Sequence, residues 1–318
     1  MKIFVTGAAG FIGFSLSLEL LKKKHIIYAI DNLDNYYSLK LKRARLKILK
    51  KYKNFKFKKI DISKKNQLNN YLKNKNFDII FHLAAQAGVR YSIINPKKYI
   101  NSNFNGFRNL LLLLKKKNFK TMFYASSSSV YGDKKKFPLR ENFKLKPRNL
   151  YAKTKVQNEK DARKFENIYK KKIVGLRFFT IYGEWGRPDM LLLKLLSHHK
   201  KNQVFELNNG GDHYRDFTYI NDVVKILYFL IHKKKFNYDI YNICSSKPIF
   251  IKKVIKQFTQ ITGYKFFKNI EKNKLDVYKT YGDNTRIKKL SKIKKFTHFN
   301  TGLLRTIKWY KQAGYKYF

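Results

Sequence analysis

The most reactive pair in the sequence is a tyrosine and a lysine in the stretch YAKTK. Tyr151 and Lys155 are four residues apart, so on a helix they lie on one face at neighbouring turns. A phenol ordinarily titrates near pH ~10, and a neighbouring ammonium favours its phenolate form. A phenolate that persists near neutral pH can take a proton from a hydroxyl group as hydride leaves the same carbon. The pair therefore predicts oxidation of an alcohol, although alone it is commonly surface decoration.

A second reactive feature is the glycine-rich stretch VTGAAGFIG. Gly7, Gly10 and Gly13 lie between a predicted strand and a predicted helix. Such a turn aims backbone N–H groups and the positive end of a helix at a phosphate, and glycines let the backbone approach a pyrophosphate closely. The spacing is not the G-x-G-x-x-G of the commonest dehydrogenases, and a plain tight turn is the alternative. The position between strand and helix favours a dinucleotide site.

Two carboxylates follow at the ends of the next predicted strands. Asp31 lies 18 residues after Gly13, where a carboxylate accepts hydrogen bonds from the adenosine ribose and repels a 2′-phosphate. This position predicts NAD as the cofactor rather than NADP. Asp61 ends the third predicted strand and either faces the adenine edge or only caps a turn.

Four consecutive serines in ASSSSVYG complete the set of reactive groups. Ser126 is predicted to end a strand, and Ser127 is the expected hydroxyl partner of Tyr151, 24 residues further on. With the dinucleotide turn upstream, this serine makes the Tyr151–Lys155 pair a candidate catalytic centre rather than surface decoration.

Strands and helices alternate up to about residue 178, which predicts right-handed βαβ units and a parallel sheet. The expected class is α/β, a Rossmann-like doubly wound parallel sheet with a smaller C-terminal α/β domain. We expect the dinucleotide domain over 1–178, joined by a strand-helix-strand unit at 217–243, and the second domain over 179–216 and 244–318. Predicted strands are 2–6, 26–30, 55–60, 78–83, 120–125 and 172–178; predicted helices begin at Phe14 and span about 97–117 and 151–169.

The chain of 318 residues has a formal net charge of +51. Such a charge is typical of nucleic-acid binding, but 59 of the 71 basic residues are lysines, spread along the whole chain. Residue types with A/T-rich codons are abundant together, namely Lys, Asn, Ile, Phe and Tyr. We interpret the charge as a coding bias borne on solvated faces, and we predict no specific nucleic-acid partner.

Other classes are disfavoured by composition. Hydrophobic residues form 44% of the chain, which argues against disorder. The one cysteine, Cys244, precludes an intrachain disulfide and favours a reducing compartment, expected to be the cytoplasm. No signal peptide precedes the first strand, and no apolar run approaches the ~20 residues of a membrane span, since Lys225 interrupts the longest. The seven histidines show no metal-ligand spacing, so no metal site is expected.

Seven stretches together resemble the extended short-chain dehydrogenase/reductase superfamily, in particular its NAD-dependent epimerase/dehydratase family and, most closely, the UDP-glucuronate 4-epimerases. They are VTGAAGFIG, DNLDNYY, HLAAQAGVRYS, ASSSSVYG, YAKTK, LRFFTIYGEWGRPDM and RDFTYINDV. The likeness runs from Lys2 to about Tyr310. It weakens near the C-terminus, where the family's Gly-Asp-Val is replaced by Leu275, Asp276 and Val277, which puts that nucleotide contact in question.

The resemblance implies an isomerase that keeps NAD bound while it epimerises a UDP-sugar at C4 through a transient 4-keto intermediate. UDP-glucuronate, converted to UDP-galacturonate for polysaccharide biosynthesis, is the expected substrate. The smaller domain would bind the nucleotide sugar. A homodimer built from the helices near 97–117 and 151–169 is also implied.

The resemblance also assigns residues to roles. Ser127, Tyr151 and Lys155 would be catalytic, and Arg215 would grip the UDP diphosphate with its fork of donors; a salt bridge to neighbouring acids is the alternative for Arg215. The implied cofactor-binding residues are Gly7, Gly10, Phe11, Ile12, Gly13, Asp31, Asn32, Asp61, Ile62, Leu83, Ala84, Ala85, Gln86, Tyr151 and Lys155. The implied substrate-binding residues are Arg90, Ser127, Ser128, Ser129, Thr180, Arg187, Arg215 and Asp276.

Three of these hydroxyl groups suggest protection of the intermediate. Oxidising C4 of a glucuronate gives a β-keto acid, which loses CO₂ when its carboxylate turns into line with the carbonyl π-system. We expect Ser128, Ser129 and Thr180 to hold that carboxylate in an unreactive orientation. The alternative is that Ser128 and Ser129 cap the turn and Thr180 only packs.

Other functions stay open. Sugar-nucleotide 4,6-dehydratases and uronate decarboxylases of the superfamily typically carry an acid where this chain has Ser129. Epimerases of neutral sugars, UDP-glucose or UDP-N-acetylglucosamine, are a further alternative. The alternative from another class is a nucleic-acid-binding regulator on a dinucleotide fold, which the charge favours and the complete Ser/Tyr/Lys set disfavours.

Overall fold

A seven-stranded, fully parallel sheet forms the centre of the protein, seen in a computed structural model that describes residues 1–271 and 276–318. Its strand order is β10-β6-β5-β4-β1-β2-β3, which confirms the predicted doubly wound α/β class. The strands are β1 (Lys2–Thr6), β2 (Ile26–Asp31), β3 (Phe55–Lys59), β4 (Ile79–His82), β5 (Thr121–Ser127), β6 (Ile173–Phe178), β7 (Thr180–Tyr182), β8 (Phe205–Asn208), β9 (Tyr214–Tyr219), β10 (Ile240–Ile243), β11 (Pro248–Phe250) and β12 (Phe267–Ile270).

Helices cover both faces of the large sheet. In β1, Ile3 and Val5 belong to one apolar cluster and Phe4 to another, because successive strand residues point to opposite faces. The first cluster packs against α1 and α9, and the second against α3, α6 and α7. The helices are α1 (Phe11–Lys22), α2 (Leu39–Leu49), α3 (Lys65–Leu72), α4 (Tyr91–Ile94), α5 (Pro96–Tyr99), α6 (Gly106–Leu114), α7 (Leu150–Tyr169), α8 (Leu191–Lys200), α9 (Ile220–Leu230), α10 (Ile251–Thr262), α11 (Thr285–Ser291) and α12 (Phe299–Gln312).

Two smaller sheets lie outside the large one. Strands β11, β9 and β7 form a three-stranded sheet, and β12 pairs with β8. The expected strand-helix-strand unit over 217–243 is therefore divided. Strand β10 joins the large sheet beside β6, whereas β9 lies in the three-stranded sheet. Helix α9 between them packs against α1.

The single long helix expected over 97–117 is interrupted. Pro96 opens α5, because proline lacks an N–H and suits the first turn of a helix. A π-helical turn at Ile100–Asn105 separates α5 from α6. In that turn the Asn103 side chain accepts from the Gln86 N–H and donates to the Gln86 carbonyl oxygen, at 2.7 and 3.0 Å. The wide turn thus ties this helical segment to the loop after β4.

Several ends also differ from expectation by a few residues. Helix α1 begins at Phe11 rather than Phe14, since the glycine turn itself leads into the helix. Strand β5 ends at Ser127 rather than Ser126. Helix α7 begins at Leu150, after an Asn149 cap whose side chain accepts from the Ala152 N–H at 2.9 Å.

Two kinds of feature are absent from residues 1–271 and 276–318. None of the helices there combines the length and the apolar character that a membrane span requires. Within the same ranges, no three His, Cys, Asp or Glu side chains lie together in a way that could hold a metal ion.

Candidate active site

The candidate site lies at the carboxyl ends of β1 and β4, where the strand order reverses direction. Ligands of open α/β sheets bind in the crevice at this position. Gly7 follows β1 with φ of +74°, and a Cβ at Gly7 would lie 2.6 Å from the Ala84 nitrogen after β4. A Cβ at Gly13 would lie 2.1 Å from the Gly7 carbonyl oxygen. The turn is therefore packed tightly against the neighbouring loop and against the start of α1.

A cavity of about 480 Å³ opens at this crevice. It runs from Asp31 and Asp61 past the glycine turn to Tyr151 and Lys155. All fifteen predicted cofactor-binding residues line it, and so do Ser127 and Arg187 of the predicted substrate-binding group. The other predicted substrate residues, Arg90, Ser128, Ser129, Thr180, Arg215 and Asp276, are not among the lining residues of this cavity.

One end of the cavity is acidic. Asp31 accepts from the Ala9 N–H at 3.0 Å and from the Leu33 N–H at 2.8 Å. Burial raises the pKa of its carboxyl group, and these hydrogen bonds act in the opposite direction. Asp31 thus braces the glycine turn from behind while each of its oxygens keeps a lone pair for a ribose hydroxyl.

Asp61 lies beside the Asn32 side chain. It accepts from the Asn32 amide at 3.2 Å and from the Ser63 N–H at 2.8 Å. Burial opposes the charged form, but the hydrogen bonds from Ser63 and Asn32 outweigh it, so the pKa of Asp61 lies below its ordinary value. Asp61 therefore caps a turn and also lines the cavity.

The other end of the cavity holds the reactive pair. Burial raises the pKa of the Tyr151 phenol, while a hydrogen bond with Ser127 and the charge of Arg187 lower it. From the sequence, the positive charge that lowers the pKa of Tyr151 was expected to come from Lys155. In the structure Lys155 is itself desolvated, which lowers its pKa to about 8, and its Nζ donates to the Ala125 carbonyl oxygen at 2.7 Å. Its ammonium is therefore directed at the end of β5, with Nζ 5.9 Å from the centroid of the Tyr151 ring.

The serine row turns sharply after β5. The Ser127 hydroxyl accepts from the Ser129 N–H at 3.2 Å and so caps the 3₁₀ turn Ser128–Tyr131. The Ser129 hydroxyl donates to the Ser127 hydroxyl at 2.9 Å. The capping residue is thus Ser127 rather than Ser128 or Ser129. The Ser129 and Ser127 hydroxyls are thus linked, and Ser127 lowers the pKa of the Tyr151 phenol.

An ionic pair stands beside the tyrosine. Arg187 Nε donates to Asp189 Oδ1 at 3.0 Å, and Nη2 donates to Oδ2 of the same carboxylate. The Tyr36 hydroxyl, from the loop after β2, donates to Asp189 as well, at 2.9 Å. The two loops that carry Tyr36 and Arg187 are thereby joined over the cavity.

Three of the remaining predicted substrate residues, Arg90, Arg215 and Asp276, lie together as a separate group. Arg90 Nη2 donates to Asp276 Oδ2 at 2.7 Å. Arg215, which desolvation leaves with a pKa of about 10, donates to the carbonyl oxygens of Tyr214 and Val277 at 2.8 and 3.0 Å. Its hydrogen bonds within the described residues go to carbonyls and not to an acid. Leu275, where the family pattern is broken, lies outside the described residues.

Arg45 is a site residue that sequence reasoning missed. Its side chain is fully buried and donates to the Ala9 carbonyl oxygen at 2.8 Å and to the Gly186 carbonyl oxygen at 3.0 Å. It also donates to the Trp185 carbonyl oxygen. Arg45 therefore connects the glycine turn to the loop that carries Arg187. In the sequence it is one of several basic residues in a helix, and no local signal distinguishes it.

Comparisons with known proteins show what the chain is similar to. The model of the NAD dependent epimerase/dehydratase family matches residues 3–244. An uncharacterized protein of Methanocaldococcus jannaschii is 42% identical over 316 residues, covering 97% of this chain and 96% of its own. A UDP-glucuronate 4-epimerase of Thermodesulfobacterium geofontis is 35% identical over 311 residues, covering 97% and 95%.

A solved structure is similar over nearly the whole fold. The UDP-glucuronic acid 4-epimerase of Bacillus cereus, crystallised with UDP-glucuronic acid and NAD, superposes with a TM-score of 0.93 at 28% identity. The match covers 98% of this chain and 99% of that one.

Proposed function

The chain belongs to the NAD-dependent epimerase/dehydratase family, and on that premise we propose that it is an NAD-dependent 4-epimerase of a UDP-sugar, most specifically of UDP-glucuronate. The observation that carries the proposal is that Ser127, Tyr151 and Lys155 line the same cavity as the glycine turn and Asp31. A dinucleotide turn and an oxidising base thus share one cavity.

The residues present fit NAD. Asp31 keeps free lone pairs for the ribose hydroxyls, and the start of α1 presents N–H groups for the diphosphate. When bound there, NAD would supply the hydride acceptor and donor that epimerisation at C4 requires.

The chain's own residues would manage the protons. Tyr151 takes the proton of the 4-hydroxyl and later returns it. Ser127 orients the Tyr151 phenol by hydrogen bonding. Lys155, within one helical turn, adds positive charge to the same end of the cavity. The 4-keto sugar would turn in the cavity so that C4 regains hydride on its other face, and because the hydride and the proton that were removed are both returned, the net redox change is zero.

The uronate substrate is supported by basic and hydroxyl groups next to the cavity. Arg187 lines it beside Tyr151, and the Ser129 hydroxyl meets that of Ser127. We assign Ser128, Ser129, Thr180, Arg90 and Arg187 to the uronate, and Arg215 and Asp276 to the UDP moiety. Arg215 Nη1 donates to carbonyl oxygens rather than to a carboxylate, and a guanidinium held in this way suits a diphosphate.

We keep the predicted domain division, with 1–178 for the cofactor and 179–216 with 244–318 for the sugar. A homodimer is proposed because apolar side chains of α4, α6 and α7 are exposed: Ile93 at 61%, Ile94 at 75%, Leu112 at 48% and Ile168 at 56%. The cytoplasm is the proposed location, since the buried Cys244 is a free thiol. The proposed pathway is the supply of uronate donors for polysaccharides.

The experiment is to incubate the purified protein with UDP-glucuronate, UDP-glucose and UDP-N-acetylglucosamine and to identify the products by NMR. UDP-galacturonate from UDP-glucuronate is the expected result. Turnover of UDP-glucose or UDP-N-acetylglucosamine but not of UDP-glucuronate would make the protein an epimerase of neutral sugars. UDP-pentose as the main product would make it a decarboxylase.

The net charge of +51 requires a second assay. Binding of random DNA and RNA is titrated with salt, because contacts with phosphates weaken steeply as salt rises. We expect binding to vanish near physiological salt. Tight binding that persists there, without turnover of any UDP-sugar, would replace the enzyme by a nucleic-acid-binding protein.

A further inference from the structure

Glu159 is a buried carboxylate two helical turns beyond Tyr151 on α7. Its side chain is 9% exposed. Arg177 of β6 donates to it twice, from Nε at 2.8 Å and from Nη2 at 2.7 Å. The Ser126 hydroxyl donates to the same carboxylate at 2.6 Å. Its charge is thus matched by one guanidinium, and one of its hydrogen bonds reaches the serine row.

Three consecutive residues of β5 face three side chains of α7. The Ala125 carbonyl oxygen accepts from Lys155 at 2.7 Å, the Ser126 hydroxyl donates to Glu159 at 2.6 Å, and Ser127 lies close enough to Tyr151 to lower the pKa of its phenol. The bond between Ser126 and Glu159 is supported from the sheet. Arg177, which also donates to Glu159, is the register partner of Ser126 on the neighbouring strand β6. Glu159 therefore fixes the end of β5 to the helix between the two contacts of the reactive pair.

Glu159 also lies within electrostatic reach of Lys155. The groups that face Lys155 are Tyr151 and Glu159 on its own helix, His82 on β4 and the Ala125 carbonyl oxygen on β5. Burial lowers the pKa of His82 to about 3, so its ring is neutral. Burial lowers the pKa of Lys155 as well, and the charge of Glu159 opposes that shift. Glu159 is thus the carboxylate that favours the ammonium form of Lys155.

We propose that Glu159 is a positioning residue for the reaction: through its hydrogen bond with Ser126 it holds the end of β5, and with it Ser127, against the helix that carries Tyr151. The part of its negative charge that Arg177 leaves unscreened also favours the ammonium form of Lys155. The inference rests on the proposed function, since it requires Tyr151 to act as the base. A carboxylate that served only the fold would stabilise the protein without influencing how its activity depends on pH.

The test uses the NAD-loaded protein and two variants. E159Q keeps the shape and an acceptor oxygen but removes the charge, whereas S126A removes only the hydroxyl that ties Glu159 to β5. E166Q is the matched control. Glu166 lies on the same helix, its carboxylate is 2.9 Å from Lys172 Nζ, and it does not line the cavity. For each protein, kcat and KM for UDP-glucuronate are measured from pH 6 to pH 10, with thermal unfolding and NAD content.

In E159Q we expect kcat to fall and its alkaline limb to move to lower pH by about one unit or more, since a nearby opposite charge commonly shifts a pKa by ~1 to 3 units. In S126A we expect kcat to fall roughly tenfold with the limb unmoved and KM unchanged, because the charge remains and one hydrogen bond is lost. E166Q should behave as the wild type in both respects.

Suppose that the wild type is active, that the alkaline limb of the kcat–pH profile of E159Q is unmoved and that the kcat of S126A is normal. The positioning role would then be overturned while the proposed function stands, even if both variants unfold at lower temperature. Should E159Q fail to fold, S126A decides: a normal kcat there overturns the positioning role. A wild type that turns over no UDP-sugar would overturn the proposed function as well.

Discussion

Gly7 and Ala84 approach each other so closely that a Cβ on Gly7 would lie 2.6 Å from the Ala84 nitrogen. The two residues follow neighbouring parallel strands, β1 and β4, and their contact closes the floor of the cofactor cavity. The glycine turn therefore has two constraints, one from the ligand it would hold and one from the loop beside it.

We expect Gly7→Ala to destabilise the protein more than Gly263→Ala and to empty it of NAD. Gly263 has nearly the same φ, +75°, but nothing within 4 Å of an added Cβ. The control should therefore lower the free energy of unfolding by only the roughly 1–2 kcal/mol of a left-handed L-residue. Denaturant unfolding measures the free energy of unfolding of both variants, and their NAD content is measured after purification. Equal losses of stability in Gly7→Ala and Gly263→Ala would show that the contact with Ala84 is unimportant.

Replacing Tyr151 by phenylalanine should lower kcat by ~10² to 10⁴-fold, the usual contribution of general base catalysis. The ring, which packs edge-on against Tyr99 at 6.2 Å, is retained, so bound NAD should be retained too. Tyr169→Phe is the control, because Tyr169 ends the same helix and is 39% exposed. Steady-state turnover of UDP-glucuronate is the measurement. An undiminished rate in the Tyr151 variant would remove it from the mechanism.

Loss of the carboxylate in Asp31→Ala should reduce the NAD that copurifies with the protein and narrow its preference for NAD over NADP. The ribose loses its acceptor, and a 2′-phosphate loses its repulsion. The Ala9 and Leu33 N–H groups lose a partner as well, at ~1–3 kcal/mol for each donor left buried. Asp78→Ala, at the opposite end of the sheet, is the control. Unaltered occupancy and preference would place the ribose elsewhere.

Thr180→Val and Ser128→Ala should each release some UDP-pentose and CO₂ beside the epimer. Each loses a hydroxyl expected to hold the uronate carboxylate, so binding should weaken by roughly 1.5–3 kcal/mol, the range for hydrogen bonds to charged groups. Thr301→Val, an exposed change on α12, serves as the control. Products are identified by NMR. An unchanged KM and no pentose in both variants would reject the carboxylate clamp.

Local sequence was sufficient to predict which residues line the cavity at the carboxyl edge of the sheet. A glycine turn after a strand, an aspartate at the end of the next strand and a Tyr-x-x-x-Lys helix each carry their meaning within a few residues. The carboxyl ends of parallel strands necessarily meet at one edge of the sheet, which is why all fifteen residues assigned to the cofactor line a single cavity.

Contacts between distant segments were decided only by the tertiary structure. Lys155 was expected to supply the positive charge beside Tyr151. In the structure its ammonium group donates to the Ala125 carbonyl oxygen, and the positive charge that lowers the pKa of Tyr151 is that of Arg187. Strand β9 was expected in the large sheet and pairs instead with β7 and β11, because strand pairing depends on partners that local periodicity does not name. Arg45 and Glu159 have no local signature, since their roles arise from loops and strands that folding brings to them.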